Sequence, residues 1–329
     1  MILGRKGLLL SAMLVFGLAL PPLAHWLGEP FLVSLFSRIL SYGLAAASLD
    51  LLLGYGGMVS LGHAAFFGIG GYVVGILSYH SFEGTPFIVW PVVLPGTESA
   101  FVAWPAAVLV AALMGLMIGA VCLRTAGMHF IMITLAFAQM LYFFFVSLGT
   151  YGGEDGLSLW GRSHVPHLDL GEDLTFYYIC LAVLVGFLFL SRRIVDSRFG
   201  MVVRGIKQNP NRMGALGFPT YRYRLALFVL AAAGAGLAGA LIANQTEFVS
   251  PGLFHWTRSG EILVMVILGG IGTLYGPVLG AATLLLMEEV LSVYTEYWMV
   301  FLGPFLLLVV LFARRGVYGV LAGREADDG

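Results

Sequence analysis

Ten apolar runs, near 8–28, 32–53, 60–79, 101–123, 127–149, 175–191, 225–245, 261–274, 277–291 and 297–313, alternate with shorter polar stretches along the chain. Most approach the ~20 residues that an α-helix needs to cross about 30 Å of hydrocarbon. They are continuous, rich in Leu, Ala, Val and Gly, and lack the two-residue alternation of a membrane β-barrel. Backbone in lipid must pair its polar groups internally, so these runs predict helices. The eighth and ninth are short and interrupted by glycine, which leaves the count between eight and ten. The expected fold is an all-α polytopic membrane protein, with a single transmembrane domain over residues 1–329.

Composition agrees: 59% of residues are hydrophobic and 11% charged, against about a quarter charged in soluble domains. Arg5 and Lys6 precede an apolar run that imitates a signal peptide, but the run is longer than such segments and further spans follow at once; it predicts the first transmembrane helix. Cys122 and Cys180 both fall inside apolar runs and read as packing residues. The net charge of −1 is uninformative, whereas its distribution is not. Segment 192–224 carries Arg192, Arg193, Arg198, Arg204, Lys207, Arg212, Arg222 and Arg224 against the single acid Asp196. The loop near 80–100 has Glu83 and Glu98 with no Lys or Arg, and the loop near 150–174 has five acids and only Arg162. Basic residues favour the cytoplasmic side. An even count, best ten, with both termini cytoplasmic, puts every loop where its charge belongs; the loops near 80–100, 150–174 and 246–260 then face outwards.

The stretch "RGIKQNPNRMGALGFPTYRYR" (204–224) has more structure than a topological anchor or a lipid-attracting loop needs. Asn209 suits an N-cap and Pro210 the first helical position. Gly217 can take the left-handed turn that ends a helix, and Pro219 stops its resumption. Between them lies a helix of about two turns carrying Arg212, with Met213 and Leu216 exposed: a docking element outside the membrane.

Within the spans, glycines at four-residue spacing (Gly71 and Gly75; Gly115 and Gly119; Gly272, Gly276 and Gly280) predict close helix packing. Two clusters instead break their spans: "GYGGMVSLGH" (54–63), with Gly56 and Gly57, and "LGGIGTLYGP" (268–277), with Gly269, Gly270 and Gly272. Each precedes a helix of small residues, a weak internal repeat, and paired interruptions of this kind point to a translocation site. Ser60 and His63 sit beside the first break; each suits a pathway or a hydrogen bond to backbone. Thr134 and Gln139, in the fifth run, suit either substrate contact or interhelical hydrogen bonding. Arg38 and Asp50 are the costly residues, because an ionisable group inside a membrane is a functional candidate by default. Twelve residues put them about 120° apart around a helix, so they do not pair with each other. Glu288 and Glu289 lie towards the outer end of the ninth run.

No catalytic constellation is present: there is no H-E-x-x-H, C-x-x-C or G-x-S-x-G. The two lysines, Lys6 and Lys207, both stand outside a phosphate-binding G-x-x-x-x-G-K-[ST] context, so the chain is no nucleotide hydrolase. Neither a bound cofactor nor a metal is expected, and no nucleic-acid partner.

"NPNRMGALG" (209–217) resembles the coupling helix with which permeases of bacterial ABC importers engage their ATPases. "SLDLLLGYGGMVSLGHAAFFGIGGY" (48–72), "MHFIMITLAFAQM" (128–140), "YGGEDGL" (151–157) and "LVMVILGGIGTLYGPVLGA" (263–281) resemble the branched-chain amino-acid permeases, the LivM type more than its LivH partner. The resemblance covers about residues 35–315, in the expected order. It implies an inner-membrane permease working with a LivH-like second permease, two ATP-binding cassette ATPases that use ATP and magnesium, and a periplasmic substrate-binding protein. Asn209, Pro210, Arg212, Met213, Leu216 and Gly217 would then be ATPase-coupling residues. Asp50 and Met58 stand where the resemblance leads one to expect Asn and Gln or Leu, which keeps related carriers of urea or short amides in view. An ion-coupled secondary transporter using Asp50, Glu288 or His63 is the reading from a different class; the scarcity of buried charge weighs against it.

Overall fold

A computed structural model describes residues 5–88, 94–166, 168–294, 297, 300–301, 303–305 and 316–322. The expected tenth run, 297–313, and the basic residues Arg314, Arg315 and Arg324 lie largely or wholly outside the described residues. Helices dominate: α1 (Arg5–Leu27), α2 (Phe31–Asp50), α3 (His63–Phe82), α4 (Ala100–Cys122), α5 (Met128–Ser147), α6 (Asp173–Val195), α7 (Arg198–Gln208), α8 (Pro210–Ala215), α9 (Thr220–Thr246), α10 (Trp256–Gly269), α11 (Gly276–Tyr294) and α12 (Gly316–Ala322). Among the described residues, two short antiparallel pairs decorate the loops: β1 (Pro86–Ile88) with β2 (Leu94–Pro95), and β3 (Leu157–Ser158) with β4 (Phe248–Val249).

Among the described residues, seven stretches are long and apolar enough to cross a membrane: Phe31–Tyr55, His63–Phe82, Ala100–Cys122, Met128–Ser147, Asp173–Val195, Thr220–Thr246 and Gly276–Tyr294. A shorter apolar stretch, Ser11–Ala24, lies within α1. The chain is a multi-pass membrane protein, as its hydropathy pattern implies. The eighth run is the exception. Its helix, α10, begins at Trp256, earlier than the expected 261, and stops at Gly269 after 14 residues. At 1.5 Å per residue it reaches about 21 Å, short of a ~30 Å hydrocarbon layer.

Small residues set the packing at the centre. α3 and α9 touch through main chain: a Cβ on Gly70 would collide with the carbonyl of Gly236, and one on Gly239 with that of Phe67. α4 lies against α9 with Gly115 over Ala232 and Gly119 over Phe228. This is the close approach that small residues permit in a membrane, where dispersion contacts replace the hydrophobic driving force. Two of the expected glycine stripes work differently. Gly71 and Gly75 receive Leu253 and Val249 from the segment that links α9 to α10, and of the two only Gly71 also meets α9, at the Gly239 carbonyl. Gly272 is not helical at all (φ +78°), while Gly276 and Gly280 press against Gly269 and the Met265 carbonyl of α10.

α1 is fastened to α6 by the Tyr177 hydroxyl, which donates to the Gly17 carbonyl at 2.7 Å. Arg38 pairs with Glu288 of α11 at 3.5 Å. Cys122 and Cys180 are buried and unpaired, as packing residues should be.

Candidate functional site

The two glycine breaks, 54–63 and 268–277, lie against one another. At the end of α2 the helix widens into a π-turn, Leu51–Tyr55, in which the Gly56 N–H donates to the Leu51 carbonyl at 3.2 Å. Such turns free backbone groups and recur at functional sites. Gly57 follows with φ +67° and a side of its backbone filled by the Lys207 stem. The second break opens where α10 ends: Gly270 has φ +117° and Gly272 +78°, conformations that L-residues with a Cβ avoid. Gly54 sits so close to Gly272 that a Cβ would come within 2.5 Å of its nitrogen. Asp50 joins them. Its Oδ1 accepts the Gly272 N–H at 2.8 Å. The residue is 1% exposed, and Oδ2 has no hydrogen-bond partner among the described residues.

The helix after the first break is capped from the second half of the chain. α3 begins at His63, not at 60 as the hydropathy suggests, and the N–H of Ala64 in its first turn donates to the Ser259 hydroxyl in the first turn of α10 at 2.9 Å. The starts of α3 and α10 therefore meet, each entered from an irregular segment. The contact joins the helix that follows the first break to the helix that precedes the second, and α10 is shorter than α2, its counterpart ahead of the first break.

His63 and Ser60 are both buried. His63 Nε2 and the Ser48 hydroxyl of α2 are 2.8 Å apart, and the Ser60 hydroxyl accepts the Gly62 N–H at 3.2 Å. Thr134 is buried with its hydroxyl donated to the Ile131 carbonyl; its own carbonyl closes on Gly62, where a Cβ would approach to 2.6 Å. α5 thus pins the loop between the π-turn and α3. Gln139, further along α5, is only half-buried and does not join this cluster, although its Nε2 is buried without a partner among the described residues.

The basic segment folds as two helices, not one. The sequence reading has no separate element at α7; there Val203 and Ile206 are buried, Arg198 is exposed, Arg204 donates back to the Val195 carbonyl at 3.1 Å, and Ser197 caps the helix. α8 follows directly. The Asn209 side chain accepts the Arg212 N–H at 3.0 Å, Pro210 occupies the first turn, Gly217 takes φ +88°, and the Phe218 N–H returns to the Met213 carbonyl at 3.1 Å. Both predicted ends of the helix are therefore formed. Leu216 projects outwards at 65% exposure. Met213 corrects the sequence reading: it turns back onto α7, its sulfur lying 2.9 Å from where a Gly205 Cβ would be, and is half-buried. Arg212 is exposed.

Sequence reasoning missed the residue that ties this pair of helices to the breaks. Lys207, on α7, sends its ammonium to the Gly54 carbonyl in the π-turn and lays its stem under Gly57. The available signal was its rarity, one of two lysines in the chain, at the end of a short amphipathic helix. The arrangement runs from Leu216 and Met213 through α7 and Lys207 to Gly54, then to Gly272 and Asp50.

The family model described as branched-chain amino acid transport system / permease component matches residues 31–311. The chain is similar to the high-affinity branched-chain amino acid transport system permease protein LivM of Salmonella typhimurium, with 26% identity covering 95% of this chain and 75% of that protein. It is also similar to the LivH protein of Escherichia coli, at 26% identity over 88% of this chain and 96% of that one. A probable branched-chain amino acid transport permease LivM from Methanocaldococcus jannaschii is 24% identical over 82% and 80%. No solved structure matches.

Proposed function

Because the chain belongs to the branched-chain amino acid transport permease family, a family of transport proteins and not of enzymes, we propose that it is the membrane-spanning subunit of an ABC importer for branched-chain, neutral apolar amino acids. In this reading ATP and magnesium are used by two separate ATPases. A LivH-like permease completes the passage and a periplasmic binding protein delivers the substrate. The basic face and both termini lie on the cytoplasmic side of a bacterial inner membrane.

The observation that carries the proposal is the capped helix α8 joined through Lys207 to the π-turn. A helix outside the spans, with an exposed leucine and a rigid link to a break in the bundle, suits an element that receives a push from a partner. α8 moves with α7 because Met213 packs on Gly205. α7 moves with the first break because Lys207 holds Gly54. The first break bears on the second through Asp50 and Gly272. ATP-driven closure of the ATPases would thus alter the contact between the breaks and switch access between the two sides of the membrane. Asp50, Gly56, Gly57, Ser60, His63, Thr134, Gly269, Gly270 and Gly272 would form or support that gate, and Gln139, away from the cluster, would face the pathway separately.

The test is gentle extraction of the tagged protein from its native membrane, followed by mass spectrometry of what co-purifies. Recovery of two P-loop ATPases and a second permease supports the importer. Recovery of the chain alone, under conditions that preserve a known ABC complex, would overturn it. Uptake of labelled leucine, isoleucine and valine against urea and acetamide by the reconstituted complex then decides the substrate class.

A further inference from the structure

A groove of about 340 Å³ runs between α1, α2, α6 and α11. Its walls are almost wholly apolar, with Leu40, Leu184, Phe189 and Leu279 among them. Its rim faces away from the bundle centre: Phe16 is 54% exposed, Val185 40% and Phe189 67%. A groove with this outlook, cut into helices that cross a membrane, opens to lipid and not to the interior of the bundle. One end is not apolar. Arg192 lines it, in the last turn of α6, where the apolar run gives way to the basic segment. Its ion pair with Asp196, at 3.7 Å between groups more than 60% exposed, is of the weak surface kind, and Arg193 adds a second positive charge beside it.

We propose that this groove is a binding site for an anionic phospholipid, with an acyl chain lying along α6 and the phosphate held at Arg192. The charge pattern selects the occupant. A zwitterionic lipid gains little at a paired arginine end, whereas an anionic headgroup is attracted by each basic residue near the membrane surface. A guanidinium matches a phosphate with two parallel donors. The groove also has a reason to matter to the protein. Tyr275 forms part of its floor, three residues beyond Gly272, so a bound chain would press on the segment that carries the second break. Tyr177, the other polar side chain in the wall, already spends its hydroxyl on Gly17.

The experiment uses the intact protein, with whatever subunits co-purify, in vesicles doped with phosphatidylglycerol or phosphatidylcholine bearing a photoreactive acyl chain. Labelled peptides are located by mass spectrometry. Phosphatidylglycerol should label the α6 and α11 groove residues about fivefold more than phosphatidylcholine, the factor associated with one basic residue at an anionic surface. R192Q should bring that labelling down to the phosphatidylcholine level, while R222Q, on the exposed start of α9, should leave it unchanged. V185W, which fills the rim, should abolish groove labelling by both lipids and guards against a folding defect in R192Q. Equal labelling by both lipids, or labelling that survives R192Q, would reduce the groove to ordinary bilayer contact and overturn the proposal. So would an unlabelled groove beside labelled outer faces of α4 and α5, which would mean that protein fills it.

Discussion

Asp50 and Gly272 are 222 residues apart in sequence and joined by a 2.8 Å hydrogen bond, a carboxylate oxygen accepting a main-chain N–H. The bond fixes two irregular segments to each other in the part of the bundle where backbone groups have left their helices. Each segment alone would expose unpaired N–H and C=O groups to an apolar surrounding, a cost of several kcal/mol per group in lipid. Together they partly satisfy one another.

Replacement of Asp50 by alanine should leave the Gly272 N–H buried without an acceptor and destabilise the protein by about 1–3 kcal/mol. Asp50→Asn keeps an oxygen in the same place and should lose much less. Thermal unfolding of the two variants in the same detergent separates the cases. If Asp50→Asn falls as far as Asp50→Ala, the charge is needed and not the acceptor alone.

Gly54→Ala tests the contact between the breaks from the other side. Its new methyl would overlap the Asp50 carboxylate and crowd the Gly272 nitrogen. Neither neighbour is a flexible side-chain tip that can swing away: one is backbone, and the other is held by it. An overpacking cost of about 1–3 kcal/mol follows. Gly186→Ala, on α6 with nothing within 4 Å, is the matched control and should be neutral or slightly stabilising, since alanine is the better helix former. A melting temperature that drops equally for both would place the cost in the glycine itself and not in the contact.

How much of this was legible in the sequence depended on the scale of the signal. The spans were readable because ~20 apolar residues have few alternatives in a membrane protein. The caps of α8 were readable because Asn209, Pro210 and Gly217 act on their own neighbours. The failures are all tertiary. The eighth run looked like a span reaching 274 because hydropathy counts apolar residues and not the direction of the chain; its helix stops at Gly269, where Gly270 turns at φ +117° and the Gly272 N–H is taken by Asp50. Met213 looked exposed because nothing in its own segment covers it; Gly205, eight residues earlier, does. Asp50 was legible as costly, but its partner is a main-chain N–H, and a glycine advertises no acceptor preference.

Lys207→Met should keep the stem that packs under Gly57 and remove only the ammonium that holds the Gly54 carbonyl. A hydrogen bond to a charged group is worth about 1.5–3 kcal/mol, so transport by the reconstituted complex should fall by about tenfold or more, a factor of ten corresponding to ~1.4 kcal/mol. Co-purification of the ATPases should persist, because Lys207 is not on α8. Loss of the ATPases in this variant would make α7 part of the docking surface and break the proposed order of transmission.

Gly217→Val acts at the other end of the same path. Gly217 sits at φ +88°, where a β-branched residue is a genuine outlier and strain of about 1–3 kcal/mol is expected. The turn returning the Phe218 N–H to the Met213 carbonyl would open, and α8 would lose the stop that keeps it rigid. ATP hydrolysis by the assembled complex should then continue while substrate uptake falls, because the push still arrives but is absorbed by a yielding helix. Gly214→Ala, on the same helix with nothing within 4 Å of its new methyl, should leave uptake per ATP unchanged. Measured together in proteoliposomes, the ratio of uptake to hydrolysis decides the matter. A Gly217→Val variant with an unchanged ratio would show that α8 need not be rigid, and the transmission from Leu216 to Asp50 would have to run by another route.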